Sequence, residues 1–409
     1  MIPPTKTKMK KWGLLMLLIF LLKIQQKAIV KAEDEFITIK GVQFWLNGGP
    51  FYANGFNSYW LMYEGSDPNT RHKVSDAFKE ASDHGLTIAR TWAFSDGGYR
   101  PLQYSPGLYN QQMFQGLDFV VTEAKKYGIK LILSLVNNYE DFGGKKQYVE
   151  WGKSKGQSLS SEDDFFTNPV VKDFYKNHIK TVLTRVNSMN GVAYKDDTTI
   201  MAWELMNEPR CTSDLSGKIL QDWITEMASY LKSIDANHLL EIGLEGFYGN
   251  DNKQYNPNNL QEGTDFIANN QIHGIDFATV HSYPDQWLSG STGEQQLSFH
   301  QKWVQQHISD TQNILRKPLI FAEFGKSYKL SSYTPSDRNQ FYNITYSSIY
   351  SSASEGGPTA GGLFWQLLAK KMDNYRDGYD IVLGEDSYIT GMISEQSQKL
   401  SKLRKKYRN

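Results

Sequence analysis

The chain has 409 residues with 44 basic against 44 acidic side chains, so no net charge recruits nucleic acid or an anionic membrane, and an uncharged partner suits the balance. Aromatics make up 13 %, including 10 Trp and 24 Tyr, enough to fill a large core and still line a cleft. The one cysteine, Cys211, excludes an intrachain disulfide, so stability must come from a hydrophobic core, which this length allows.

At the amino terminus Lys6, Lys8, Lys10 and Lys11 precede the apolar run from Trp12 to Leu22, and Val30-Lys31-Ala32 supplies small residues. Charged, apolar and small-residue regions in that order read as a secretory signal over residues 1–32. The apolar run is shorter than the about 20 residues that a bilayer span requires. The expectation is a secreted, extracellular chain that starts near Glu33 and leaves the membrane once the signal is cut. On that route Asn343-Ile-Thr345 is a usable glycosylation acceptor. Cys211 reads as a buried structural thiol.

Residues 33–409 read as one domain. Phe36–Ile39 and Val42–Leu46 alternate around Lys40-Gly41 and predict a small hairpin. Strand candidates then follow at Phe51–Asn57, Leu86–Trp92, Ile129–Val136, Ile200–Met206, Leu239–Gly243, Phe277–His281, Leu319–Phe324 and Gly361–Gln366. Between them, helical periodicity covers Thr70–His84, Met113–Tyr127, Val170–Met189, Leu215–Ile234, Glu294–Ile314 and Pro335–Ser354, with a last helix over Ser394–Lys405. The crossover near Asp265–Asn270 is short. Eight strands alternating with helices imply an α/β fold, a (β/α)8 TIM barrel behind an N-terminal hairpin. The polar stretch Asn137–Thr167, with Gly143-Gly144, reads as a loop that builds a cleft wall.

In such barrels, groups at the carboxyl ends of the strands converge. Here those ends offer Arg90 and Trp92, Asn137 and Asn138, Asn207 and Glu208, His281 and Tyr283, Glu323, and Trp365. Pro209 is expected to hold Glu208 extended. Two carboxyl groups on strand ends point to acid-base or covalent carboxylate chemistry, of which glycoside hydrolysis is the commonest form. An adjacent arginine favours one carboxylate, while an apolar wall and a like charge keep the other protonated. Glu204 is expected to lie between strand and helix layers or to support Arg90, and Trp203 to pack. The eight histidines include no His-Glu-x-x-His, and His300 with His307 reads as a shared helix face. Gly356–Gly362 lacks the Lys-Ser/Thr of a phosphate loop, so neither metal nor cofactor is expected.

Ala89–Trp92, Asn207-Glu208-Pro209, Val280–Pro284, Ala322–Gly325 and Phe364-Trp365 together resemble the strand-end motifs of glycoside hydrolase family 5. Trp203–Cys211 and Gln147–Gly152 resemble the plant-type endo-β-1,4-mannanases within it. That resemblance implies Glu208 as general acid/base, Glu323 as nucleophile and Asn207 as the partner of the sugar 2-hydroxyl. It further implies that Arg90 and Tyr283 hold the nucleophile and that His281 bonds to the acid/base. Trp92 and Trp365 would contact sugar, and Arg210 would act on the leaving-group side. The implied partner is β-mannan, attacked at internal bonds with retention. A β-1,4-glucanase or a mannan transglycosylase on the same barrel is the alternative. Many family cellulases carry His at the end of the third strand, where this chain has Asn137-Asn138, which argues against a cellulase. The sequence gives no oligomeric state.

Overall fold

The computed structural model describes residues 35–331 and 333–406, so the expected signal segment lies outside the described residues. The chain enters through a small antiparallel sheet, β1 (Thr38–Lys40), β2 (Gln43–Leu46) and β3 (Gly49–Phe51). The expected hairpin therefore has a third strand. Asn47 and Gly48, both at positive φ, turn the chain so that Phe51 pairs with Phe44 instead of opening the first barrel strand.

Eight parallel strands follow: β4 (Ala53–Asn57), β5 (Ile88–Trp92), then, after the small hairpin β6 (Gln103–Ser105) and β7 (Leu108–Tyr109), β8 (Lys130–Ser134), β9 (Ile200–Glu204), β10 (Leu239–Glu241), β11 (Ala278–Ser282), β12 (Leu319–Phe324) and β13 (Thr359–Phe364). Their spatial order is β10-β9-β8-β5-β4-β13-β12-β11. Backbone bonds from Asp276 N to Leu240 O at 2.8 Å and from His281 N to Glu245 O at 2.9 Å close the barrel between β10 and β11.

Strands covered on both faces must be apolar on both, and apart from Lys130 every residue of these eight is buried. Inside the barrel, side chains two residues apart share a face. Ile88, Ile132, Ala202, Leu239 and Phe277 form an apolar layer under Phe44, Leu46 and Phe51, with Phe44 edge-on to Phe277 at 5.1 Å. Each large side chain so buried contributes about 1.5–3 kcal/mol. Two residues further on, the same strands present Arg90, Ser134, Glu204, Glu241 and Thr279, all buried. The amino-terminal sheet thus plugs the apolar end of the barrel, and the interior turns polar toward its mouth.

The helices bury the stripes that the sequence predicts. His72–Asp83 turns Val74, Ala77, Phe78 and Ala81 inward, and Pro335–Ser354 has the expected bounds. Asn343 is exposed on that helix while Thr345 is buried, so the acceptor motif is helical and not in a loop. Four segments depart from expectation. The helix from Pro169 ends at Leu183, leaving Val186 and Met189 exposed, because Asp118 ties down the following turn through Arg185, Asn187 and Ser188. The helix expected from Leu215 starts at Lys218 after Gly217 at φ 78°, and the last one starts earlier, at Ser387. The supposed loop Asn137–Thr167 contains helices Gly144–Ser154 and Asp164–Thr167. No helix among the described residues is long and apolar enough to cross a membrane.

Candidate active site

The polar layer is organised by Arg90, the middle residue of β5, which is 1 % exposed. Its Nε and Nη2 donate to the two oxygens of Glu204 at 2.5 and 2.7 Å. Nη2 also donates to Asn207 Oδ1 at 2.7 Å, and Nη1 to Asn57 Oδ1 at 3.0 Å and to Glu323. Glu204 therefore faces the barrel interior as the support of Arg90, the second of its two expected placements. Trp203, its neighbour, points the other way into the helix layer and donates from Nε1 to Asp235 at 2.7 Å.

Beyond β9 the chain rises through Asn207 and Glu208. The proline does not keep Glu208 extended: its φ is +51°, in the left-handed region. Such a conformation costs on the order of 1–3 kcal/mol and persists only where surrounding structure imposes it. Asn207 N donates to Val136 O at 2.8 Å and Glu208 N to Gly243 O at 3.0 Å, clamping the turn between the β8 and β10 extensions. The approach is so close that a Cβ on Gly243 would stand 1.8 Å from Met206 O. Asn137 Oδ1 accepts from Asn207 Nδ2 at 2.9 Å, and Asn138 Oδ1 from Arg210 N at 3.2 Å, so the Asn137-Asn138 pair fixes both ends of this turn.

Glu323, near the end of β12, accepts from Arg90 and, at 2.7 Å, from the Tyr283 hydroxyl. Glu208 meets His281 Nδ1 at 2.6 Å. One oxygen of each glutamate and a His281 nitrogen lie within 4.8 Å of one another. Burial pushes both glutamates above the usual carboxylate range and holds His281 below the usual histidine range. Both carboxyl groups have stabilising partners: Glu323 accepts from the Arg90 guanidinium and the Tyr283 phenol, and Glu208 meets the His281 imidazole with the Arg210 guanidinium and the Tyr139 phenol nearby. These three are also the one grouping among the described residues with the spacing to hold a metal ion, and Arg90 already places positive charge there. His300 and His307 face inward from helix Gly293–Asp310 and end in hydrogen bonds: His300 to Ser282 and Thr345, His307 to backbone carbonyls of Trp303 and Gly246.

Above the glutamates opens a cleft of about 840 Å³, with Trp92, Asn207, Arg210, Tyr283 and Trp365 in its walls. Arg90 and His281 lie directly behind it, so all nine residues singled out from sequence converge. Trp365 stacks on Tyr59 at 6.0 Å and is fixed by Asp377, which accepts from its Nε1 at 2.7 Å. Trp92 lies over the Arg90 guanidinium at 4.9 Å. Arg210 is locked in a fork to Glu245, both bonds 2.7 Å, and reaches Glu262 at 2.9 Å. The fully buried Cys211 beside it has its thiol pushed up to about 11 by burial.

Sequence reasoning missed Tyr59, Tyr139, Phe142, Glu245, Trp287 and Asp377, which complete the walls. Tyr59 and Glu245 follow the last residues of β4 and β10 by two and four positions. Searching a few residues past each strand end would have found them; Asp377 belongs to a longer loop with no such signal.

Over residues 34–384 the sequence matches the family model described as GH family 5 beta-mannosidase-like. It is 63 % identical over 372 residues to mannan endo-1,4-beta-mannosidase 7 of Arabidopsis thaliana, covering 90 % of this chain and 86 % of that one. Identity is 60 % to mannan endo-1,4-beta-mannosidase 1 of Oryza sativa subsp. japonica, covering 91 % and 87 %. Among solved structures, the endo-1,4-beta-mannanase of Rhizomucor miehei superposes with a TM-score of 0.76 at 31 % identity, covering 90 % of this chain and all of that one. The endo-beta-1,4-mannanase of Thermotoga petrophila gives 0.75 at 31 %, covering 87 % and 78 %.

Proposed function

Because the chain belongs to the beta-mannosidase-like members of glycoside hydrolase family 5, we propose that it is an endo-β-1,4-mannanase that cleaves internal bonds of mannan, glucomannan and galactomannan with retention of configuration. The observation that carries this reading is the pair of glutamates, Glu323 buried and Glu208 partly exposed to the cleft, whose oxygens lie within 4.8 Å of each other, one held by Arg90 and Tyr283 and the other by His281. Retaining glycosidases need about 5–5.5 Å between carboxyl groups, whereas inverting ones leave room for a water.

In the first step the Glu323 carboxylate attacks the anomeric carbon while Glu208 gives its proton to the glycosidic oxygen, releasing one end of the polysaccharide. In the second, Glu208 takes a proton from water, and the resulting nucleophile displaces Glu323. Tyr283 and Arg90 hold the attacking oxygens in line. Trp92 and Trp365 supply ring faces for the sugars, and Arg210 acts on the leaving-group side. The signal-like amino terminus supports secretion, with cell-wall mannan as the substrate met there.

Selectivity for mannose rests on the axial 2-hydroxyl beside the reacting carbon. The Asn207 amide oxygen already accepts from Arg90, and one of its two N–H groups is given to Asn137. One donor is left for the sugar, in a fixed direction. An equatorial hydroxyl leaves that donor unpaired, at a cost of about 1–3 kcal/mol, or roughly ten- to hundredfold in rate.

Purified protein should cut the viscosity of glucomannan and galactomannan rapidly and leave carboxymethyl cellulose almost unchanged. Equal kcat/KM on mannohexaose and cellohexaose would defeat the mannan assignment. Glu323→Ala should lose turnover on every substrate. Glu208→Ala should form the glycosyl-enzyme from an activated aryl mannoside, stall, and be rescued by azide as the β-azide. A product of inverted configuration from wild-type protein would defeat the double displacement.

A further inference from the structure

Beside Glu204 lies another carboxyl group to which neither the sequence nor the mechanism gives a role. Glu241, the last residue of β10, is fully buried and pairs in register with Glu204 of β9, so the two side chains project side by side into the barrel. Its Oε2 accepts from Gly243 N at 2.5 Å and from the Thr279 hydroxyl at 3.0 Å. Oε1 is buried with no donor. Paired in register on adjacent strands and both buried, the carboxyl groups of Glu241 and Glu204 are neighbours in the barrel interior. Both oxygens of Glu204 are already occupied as acceptors by Arg90.

A donor count decides the protonation state. Two neighbouring carboxylates present only lone pairs, and no third donor reaches Oε1 of Glu241. The charged groups that face it are Glu204 from β9 and Arg90 from β5, while β11 contributes the Thr279 hydroxyl. One guanidinium already serves Glu204 and Glu323, and a third anion in a dry interior would be uncompensated. A proton on Oε1 removes the charge, satisfies the orphan oxygen and supplies the missing hydrogen bond in one step.

We propose that Glu241 is a positioning residue that keeps its proton throughout the reaction and uses it in a hydrogen bond to Glu204, so that Glu204 holds Arg90 in the orientation that serves Glu323 and Asn207. Burial beside Glu204, which shifts the titration of Glu241 well above the ordinary carboxyl range, agrees with this. The chain Glu241–Glu204–Arg90–Glu323 thereby links β10, β9, β5 and β12, and it fixes the charge felt by the nucleophile. The functional part rests on Glu323 being the nucleophile; the proton itself does not.

Glu241→Ala and Glu241→Gln test this together. The alanine variant should lower kcat more than about tenfold with little change in KM, since only the orientation of the nucleophile suffers. Glutamine keeps a donor for Glu204 and an acceptor for Gly243 and Thr279. It should restore kcat/KM to within about threefold of wild type and leave the acidic limb of the pH profile in place. An acidic limb that moves to lower pH in Glu241→Gln would overturn the proposal, because it would mean that a negative charge had been removed. Infrared difference spectra of wild type minus Glu241→Gln in D2O, at neutral and mildly alkaline pH, should show a protonated-carboxyl C=O band. Its absence would overturn the proposal even if the alanine variant fails to fold. A band present in variants whose kinetics assign another nucleophile would sink the catalytic reading and leave the proton standing.

Discussion

Lysine cannot replace the guanidinium of Arg90. Three nitrogens meet Glu204, Glu323, Asn57 and Asn207 from a fixed plane, and an ammonium on a flexible stem can serve one or two of them. Arg90→Lys should therefore leave buried acceptors unpaired, costing about 3–5 kcal/mol in urea unfolding. It should also lower kcat by roughly 10²–10³-fold with a smaller change in KM. A variant with wild-type kcat would show that the network is structural alone. At the same scale, kcat/KM should be bell-shaped in pH. The double displacement proposed above requires Glu323 ionised, so rate is lost as pH falls through its pKa; it requires Glu208 protonated, so rate is lost as pH rises through its own. Burial raises both, and the acidic limb should lie above the ordinary glutamate value. An acidic limb at or below that value would contradict the burial argument.

Elements contribute unequally to site and stability, and two substitutions separate them. Gly143 sits at φ 93°, and a Cβ there would stand 2.0 Å from Asp96 O, where the loop carrying Phe142 crosses the loop after β5. Gly143→Ala should push the cleft wall away, lowering both kcat/KM and melting temperature, at a cost above the ~1 kcal/mol of an ordinary glycine replacement. Asn168 caps helix Pro169–Leu183 by accepting from Val170 N at 3.0 Å and Val171 N at 3.1 Å, on the outside of the barrel. Asn168→Ala should cost about 1 kcal/mol in denaturant unfolding and leave kcat/KM unchanged. If both variants behaved alike, the cleft loop would have no separate role.

The molecule as a whole should be sensitive to mild acid through histidines remote from the reaction. His178 and His300 are buried and held neutral, with desolvation pulling them down to about 4 and about 3. Their folded values lie below the unfolded value near 6.5, so the stability they contribute is complete above about pH 6.5 and is lost as pH falls toward the folded values. Two protons taken up on unfolding give a limiting slope of about 2.7 kcal/mol per pH unit. Urea midpoints at pH 7, 6 and 5 should fall accordingly, and His300→Gln should flatten the decline. A midpoint constant over that range would mean that these imidazoles are already charged in the folded protein.

Local chemistry made most of this protein legible before folding was considered. Apolar runs of strand length, helical stripes and their alternation specify a barrel, and polar residues at the ends of those runs specify which groups meet at its mouth. Nine such groups do meet. Three matters depended on tertiary structure. The left-handed turn at Glu208 overrides the local preference set by Pro209, because Val136 and Gly243, far away in sequence, clamp it. The helix Gly144–Ser154 was hidden in a polar segment because its buried stripe carries Gly144, Lys145 and Gly152 beside Tyr148, Val149 and Trp151, so too few apolar residues mark it in the sequence. Glu241 reads as an ordinary member of an apolar strand, and Glu204 as lying between layers or supporting Arg90, with no sign that the two acids meet. Only the register of β9 against β10, with Arg90 opposite, puts two acids and one cation in a space without water, and that low-dielectric neighbourhood decides which acid keeps its proton.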